Sequence, residues 1–438
     1  MIFKKLFKTE EPKKPQATSG KTRAKEKSRT KANRVHRVKM NVQDLRVGMF
    51  VVELDIPWEE SSFMFQGLQI NSSQEILQLQ NECSFVYVDY DEMSLGSPSD
   101  SSSGNGLPAA VATSSDGLSL SVEDEYEQAR EVHTLASETV KNLFEEIRLG
   151  GEVDGGKVKQ AVNGCVDSII RNPDASVWLT RIQAKDEGTA QHSMNVSALS
   201  IVLGKAMNLS PQELEDVGVC AMLHDVGKTS VPHEILRKAG PLNAQEREEI
   251  EKHTRYGRDI LLSTKSVMSG AADVAMSHHE RPDGKGYPRG LTDEQIPRYA
   301  RIVSIAEAYD VITTKQMYRE AMSPSQALQE LYANRGTQFD EELVIKFIDA
   351  VGIFPPGSIV EMVNGEVGIV LSNTNDKLRP KVIVILDAEQ DAAEQRVVDL
   401  SQMDVDNEGN VYQIKATHRD GSFGINVEEF QRAGLRVG

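Results

Sequence analysis

The sequence predicts a mainly α protein, a helical bundle around a cluster of imidazoles and carboxylates, with a small α+β domain before it and a small β element after it. Three observations carry that expectation. Apolar residues recur at helical spacing from about 123 to 350. Six of the nine histidines, His192, His224, His233, His253, His278 and His279, fall between 192 and 279. Runs rich in Val, Ile, Phe and Tyr, which fit a pleated strand, lie toward the two ends of the chain.

Residues 1–39 read as a basic disordered arm. The first 40 residues hold fourteen Lys/Arg against three Glu, leaving −28 for the rest of a chain whose formal charge is −17. Ile2, Phe3, Leu6 and Phe7 alternate with Lys4, Lys5 and Lys8, so the arm offers contact with an anionic membrane surface, but a solvated tail is the favoured reading. The acidic body argues against DNA or RNA as a partner, because it repels a phosphate backbone. Cys83, Cys165 and Cys220 form no disulfide framework, which fits a reducing, cytoplasmic setting. A window of about 18 apolar residues and a signal-peptide core are both missing, so a soluble protein is expected.

From 40 to 95, "LRVGMFVVELDI" and "SFVYVDY" predict strands of a small α+β domain. Residues 96–122 are Ser/Gly-rich and read as a flexible linker. A helical module is expected over 123–354. Its first helix starts at Glu123, carries Tyr126, Ala129, Val132/His133, Leu135 and Val140 near helical spacing, and stops at Gly150/Gly151. Ser210, Pro211 and Glu213 form a capping box whose helix points Leu214, Val217, Ala221 and His224 inward. After 355, "GSIVEMVNGEVGIVLS" and "RPKVIVIL" alternate around Asn364-Gly365, a hairpin signal, so 355–438 reads as a β-rich extension.

The histidines share helix faces with core residues. His192 sits with Val196, Leu199 and Leu203, His253 with Ile250, Gly257 and Ile260, and Asp310 with Val303 and Ala306. One such imidazole is ordinarily a satisfied core residue. Five imidazoles and two aspartates facing one interior leave many costly polar groups, and a shared metal site removes that cost. Imidazole and carboxylate without thiolate suit iron, manganese or a similar divalent ion better than structural zinc. Two such ions about 3.5–4 Å apart are the arrangement that phosphodiester hydrolysis exploits. His233, in "VPHEIL", matches no ligand position and reads as surface or loop.

The set His192, "HD" at 224–225, Lys228, His253, "HH" at 278–279, "DGKGYP" at 283–288 and Asp310 resembles the HD-GYP family of cyclic-di-GMP phosphodiesterases, within the HD hydrolase superfamily. Residues 40–95 resemble the small uncharacterised domain often placed before such modules. The resemblance implies an HD-type helical bundle with two divalent ions, iron or manganese, in its interior. His192, His224, Asp225 and Asp310 would hold one ion, and Asp225, His253, His278 and His279 the other. Asp225 would bridge, Lys228 would stabilise developing charge, and Asp283, Gly286, Tyr287 and Arg319 would meet substrate. The loop is further associated with docking of diguanylate cyclase (GGDEF) domains. Two departures stand out: Gly188 replaces a glutamate linked to a third metal, with Glu187 beside it, and the usual "RPYR" reads "QMYR" at 316–319.

The expected function is hydrolysis of cyclic-di-GMP to linear pGpG, and on to GMP. A cyclic GMP–AMP substrate and a binding or adaptor module for cyclase domains stand as the alternatives.

Overall fold

The computed structural model describes residues 36–46, 49–55, 68–70, 76–77, 79–80, 83–90, 121–181, 188–238, 240–264, 266–315, 321–406, 409 and 411–432. It divides into two compact units, Met1–Pro108 and Ala109–Gly438. Most of the basic arm, most of the Ser/Gly-rich linker, Glu187 and Arg319 lie outside the described residues.

The first unit holds β1 (His36–Asn41), β2 (Phe50–Leu54), β3 (Leu68–Gln69) and β4 (Phe85–Tyr90). They form an antiparallel sheet in the order β1-β4-β2-β3. Val42, Leu45, Val51, Leu54, Ile70, Leu79, Val86 and Val88 pack together beneath it, so the alternation in the sequence becomes one buried face. β1 starts at His36, inside the span read as arm.

The second unit opens with α1 (Val122–Arg148), whose N-cap Ser121 accepts from the Asp124 N–H. Tyr126, Ala129, His133 and Val140 are buried along it, whereas Leu135, expected on that face, is 62% exposed. α2 (Gly155–Arg171) packs beside α1 through a buried clamp: Glu125 takes Arg171 Nε at 2.7 Å, Nη2 at 2.8 Å and Ser168 Oγ at 2.7 Å. Removing Arg171 would leave the fully buried Glu125 carboxylate unpaired, a loss of the kind that costs about 3–5 kcal/mol. α3 (Pro173–Leu179), α4 (Gly188–Ala206) and α5 (Pro211–Leu223) follow, and α5 carries the expected capping box from Ser210 and Glu213.

A 3-10 turn, Val226–Ser230, leads to α6 (His233–Leu236), α7 (Ala244–Glu251), α8 (His253–Ser263) and α9 (Ser269–Ser277). After the Asp283–Pro288 loop come α10 (Arg298–Thr313), α11 (Pro324–Ala333) and α12 (Glu341–Val351). His233 is exposed at the start of α6, away from the other five histidines of the cluster.

The chain then forms β5 (Ile359–Met362), β6 (Val367–Ser372), β7 (Lys381–Leu386), β8 (Ala392–Asp399) and β9 (Ile414–His418), and ends in α13 (Val427–Arg432). The sheet order is β8-β7-β6-β5-β9, all antiparallel. Gly365 takes φ +94° in the β5–β6 hairpin, a conformation that a side chain would strain. Ile359, Val367, Ile369, Leu371 and Ile383 share one core with Val122, Tyr126, Ala175, Trp178 and Leu179, so the sheet packs on α1 and α3. Trp178 is fully buried and donates its indole N–H to Leu371 O at 2.7 Å. Asn373 grips Asp174 with its N–H at 2.7 Å and its Nδ2 at 2.8 Å.

Candidate metal centre

α5 ends at Leu223, and His224 and Asp225 follow as the chain tightens into the 3-10 turn. A Cβ at Gly227 would sit 2.0 Å from His253 O and 2.3 Å from Gly257 N. Only glycine allows the turn to lie against α8, and that contact brings Asp225 up to His253. The helix expected through Ile250 and Gly257 breaks at Lys252, so His253 is the first residue of α8 rather than a mid-helix residue.

Three imidazoles are held by their own backbone. His224 Nδ1 donates to Ala221 O at 2.6 Å, His253 Nδ1 to Ile250 O at 2.6 Å and His278 Nδ1 to Val274 O at 3.1 Å. With Nδ1 bonded in each ring, Nε2 points inward; burial keeps His253 and His278 neutral, whereas at His224 burial is outweighed by the Asp225 carboxylate, which raises its pKa. These nitrogens surround Asp225: His224 Nε2 lies 3.4 Å from Oδ2, and His253 and His278 Nε2 lie 3.4 and 3.8 Å from Oδ1. His192 Nε2 reaches Asp225 Oδ2 at 3.7 Å from the other side. His224 Nε2 and Asp225 Oδ1 are buried without a hydrogen-bond partner.

The electrostatics follow from burial and from this crowding. Burial lowers His253 to about 4, and burial with neighbouring imidazoles holds His278 and His279 well below the ordinary histidine value. Burial would push Asp225 up, but Lys228 and His224 together override it and keep the carboxylate charged. Lys228 Nζ is paired with Asp225 Oδ2. The rings of His278 and His279, 4.2 Å apart, both belong with His253 in one group able to hold an ion. His278 also joins His224 and Asp225 in a second group.

A third group contains a residue absent from the expected set. His192, His224 and Glu307 bring ligand atoms within 4.8 Å of one another. Glu307 is buried on α10, and that burial raises its carboxyl; a cation beside it would reverse the shift. Asp310, expected as the ligand from this helix, is occupied elsewhere. Its Oδ2 accepts from His192 Nδ1 at 2.7 Å and its Oδ1 from Asn195 Nδ2 at 2.8 Å. It bonds His192 at the ring nitrogen opposite the one that faces Asp225. The missed signal is the spacing: Glu307 and Asp310, three apart on one helix, can face the same histidine from two sides.

The loop after His279 is a built wall. Glu280, 3% exposed, accepts the N–H groups of Arg289 at 2.8 Å and Leu291 at 2.9 Å. Asp283, expected to meet substrate, takes Arg281 Nε at 3.0 Å and Nη2 at 2.6 Å and the Lys285 N–H at 3.1 Å. A Cβ on Gly286 would lie 2.5 Å from Arg281 N and Glu280 Cα, so this glycine serves close backbone packing. Tyr287 stacks on His279 with ring centroids 4.6 Å apart, and burial is the first cause of its strongly raised pKa.

The donor set fits divalent ions. Two nitrogens bound to one ion at about 2.0–2.1 Å stand about 2.9–3.4 Å apart at tetrahedral to octahedral angles, and His253 Nε2 and His278 Nε2 are 3.2 Å apart. Lone pairs that close repel unless a cation lies between them.

Comparison with known proteins gives two family matches. Residues 177–343 match the HD domain family, and residues 37–158 match a domain of unknown function, DUF3391. The chain is 32% identical over 366 residues to a cyclic di-GMP phosphodiesterase of Pseudomonas aeruginosa, covering 82% of this chain and 88% of that protein. It is 36% identical over 165 residues to a cyclic di-GMP phosphodiesterase response regulator of Xanthomonas campestris, covering 37% and 43%. It is 35% identical over 164 residues to a 3'3'-cGAMP-specific phosphodiesterase of Vibrio cholerae, covering 37% and 31%.

Proposed function

From the premise that this chain belongs to the HD-GYP family of cyclic-di-GMP phosphodiesterases, we propose that it linearises cyclic-di-GMP at the centre around Asp225. The observation that carries the reading is the pair of facing Nε2 atoms of His253 and His278, 3.2 Å apart, both with their Nδ1–H already donated to the backbone. A proton shared there is opposed by the lowered pKa of both rings, which leaves a metal ion as the fitting cation.

His253, His278, His279 and Asp225 form one half of the proposed ligand set. His192, His224, Glu307 and Asp225 form the other, with Glu307 in the place first read as Asp310. Iron or manganese suits these donors, and two ions fit the two halves. Bound ions of this kind bring the pKa of water down toward about 7 and draw charge from phosphoryl oxygens. Asp225 spans both halves and keeps them in register. Lys228, paired to Asp225 at the edge, swings its ammonium toward the charge that develops on phosphate. Tyr287 walls the site against His279 and sets where a base or ribose rests.

The catalytic module is proposed as residues 123–354, with 40–95 and 355–438 as accessory segments, acting in the cytoplasm. Among the described residues no helix is long and apolar enough to cross a membrane. A 3'3'-cGAMP-specific relative is as similar over the shared region as a cyclic di-GMP one, so both substrates belong in the test.

The test is anaerobic purification, metal analysis, and turnover of a panel of cyclic dinucleotides. About two metal equivalents per chain and conversion of cyclic-di-GMP to pGpG, both lost on chelation, are expected. Turnover that survives complete metal removal sinks the mechanism, and three equivalents in the unmodified protein sinks the two-ion count.

A further inference from the structure

A buried polar chain runs behind His192 and leaves the metal centre. His192 Nδ1 is held by Asp310 Oδ2, and Asp310 Oδ1 is held by Asn195 Nδ2, at 2.7 and 2.8 Å. Asn195 Nδ2 also donates to Thr180 O at 3.3 Å, and its Oδ1 accepts from Gln191 Nε2 at 2.9 Å. Gln191 Nε2 in turn lies 3.4 Å from His133 Nε2, on α1. His133, Asn195 and Asp310 are 8%, 4% and 4% exposed, and Gln191, which joins Asn195 to His133, is half-buried. Burial lowers His133 to about 4, which keeps its ring neutral and its Nε2 able to accept.

We propose that Asn195 and His133 are positioning residues for the metal centre, acting through Asp310 to fix the tautomer and aim of His192. The proposal rests on His192 being a metal ligand. Its consequence is specific. A ligand from α4 is oriented by Asp310 of α10, Asp310 by Asn195, and Asn195 by Thr180 at the end of α3 and by Gln191, which reaches His133 on α1. His133 lies within residues 37–158, the stretch matched by the domain of unknown function. That stretch therefore contributes a side chain to the support of the catalytic centre.

The physical basis is the tautomer. His192 must present an unprotonated Nε2, so its proton must stay on Nδ1, and Asp310 can hold it there only if the carboxylate itself is held. Asn195 has one amide and four bonding directions, and two donor bonds plus one accepted bond fix its plane. Without His133, Gln191 loses its outer contact, and the bond that Asn195 accepts from Gln191 is less firmly placed.

The test is equilibrium binding of Mn²⁺ to the metal-free full chain, by competition with a chelator, together with the Tm of each metal-free variant. Asn195→Ala is expected to weaken Mn²⁺ binding by about 10–100-fold, the scale for losing an outer support of a ligand. His133→Leu keeps the volume and should weaken it less, whereas His133→Gln, whose amide oxygen can replace the imidazole acceptor, should restore it. His192→Ala is the control. If it lowers Mn²⁺ binding while Asn195→Ala and His133→Leu bind as the unmodified chain does, the positioning role is overturned and the metal site stands. Undiminished binding in His192→Ala overturns the ligand assignment beneath it. A weakening that tracks a lower Tm of the metal-free chain, without rescue by His133→Gln, marks a packing role and also overturns the proposal.

Discussion

The two sides of the centre are held by different means. His224, His253 and His278 hang from carbonyls three or four residues back in their own segments, Ala221, Ile250 and Val274. His192 is held by Asp310, 118 residues away, and through it by Asn195. The first kind of support needs only a helix end or, for His253, the break between α7 and α8. The second exists only when α1, α3, α4 and α10 have packed. The half around His253 and His278 is therefore a local property of the chain, the half that pairs His224 with His192 adds a support that needs the whole bundle, and Asp225 belongs to both.

That contrast can be broken outright at Asp225. Asp225→Asn removes the charge that both halves share, so both should lose metal. Activity should fall further than the about 10²–10³-fold that loss of one charge-stabilising group costs. A purified variant with both metal equivalents and native turnover would refute the bridging role.

Lys228→Ala probes the charge beside the bridge without touching either set of supports. Turnover should fall by about 10²–10³-fold while metal analysis still returns the unmodified content. Metal lost along with the rate would move Lys228 from phosphate to the upkeep of Asp225.

The smallest expected effect separates the two sides. Asp310→Asn leaves every backbone-held imidazole in place and disturbs only His192, so one ion should bind about 10–100-fold more weakly and the other as before. Two binding phases in a metal titration would show this. Equal weakening of both phases would mean that the two sides are not independently supported.

The same contrast explains what was legible in the sequence. His224-Asp225, His278-His279 and the Asp283–Pro288 loop are short motifs whose geometry is local, and helix caps such as Ser210 and Glu213 are local too. The strands around Asn364-Gly365 and the helix after Ser121 could be read for the same reason. Glu307 could not be separated from Asp310, because periodicity says which face a residue shares and not which of two carboxylates is bonded to His192 Nδ1. Asn195 gave no signal, since a mid-helix asparagine is ordinarily a solvent-facing residue. Asp283 and Gly286 were expected to meet substrate, and the internal bonds of the loop are a second use of the same residue types, which the sequence alone does not separate. Leu135 was placed on the buried stripe of α1 by spacing alone, and the packing of α1 leaves it outside.

The indole of Trp178 is bonded to Leu371, 193 residues further along, and Asp174 to Asn373, 199 residues further along. Read in the order in which a ribosome makes the chain, this means that every histidine and carboxylate of the centre leaves the exit tunnel before the strand that braces α3 has been polymerised. The 61 residues from Asp310 to Leu371 take roughly 3–12 s at about 5–20 residues per second. Through that interval the imidazoles anchored to carbonyls three or four residues back can already be in place, while Thr180, the carbonyl that steadies Asn195, follows an α3 with no sheet behind it. The nascent protein thus passes through a stage with half of its centre set and half still loose. Arrested chains ending near Val351 should be cut by protease near α3 where the released protein is not.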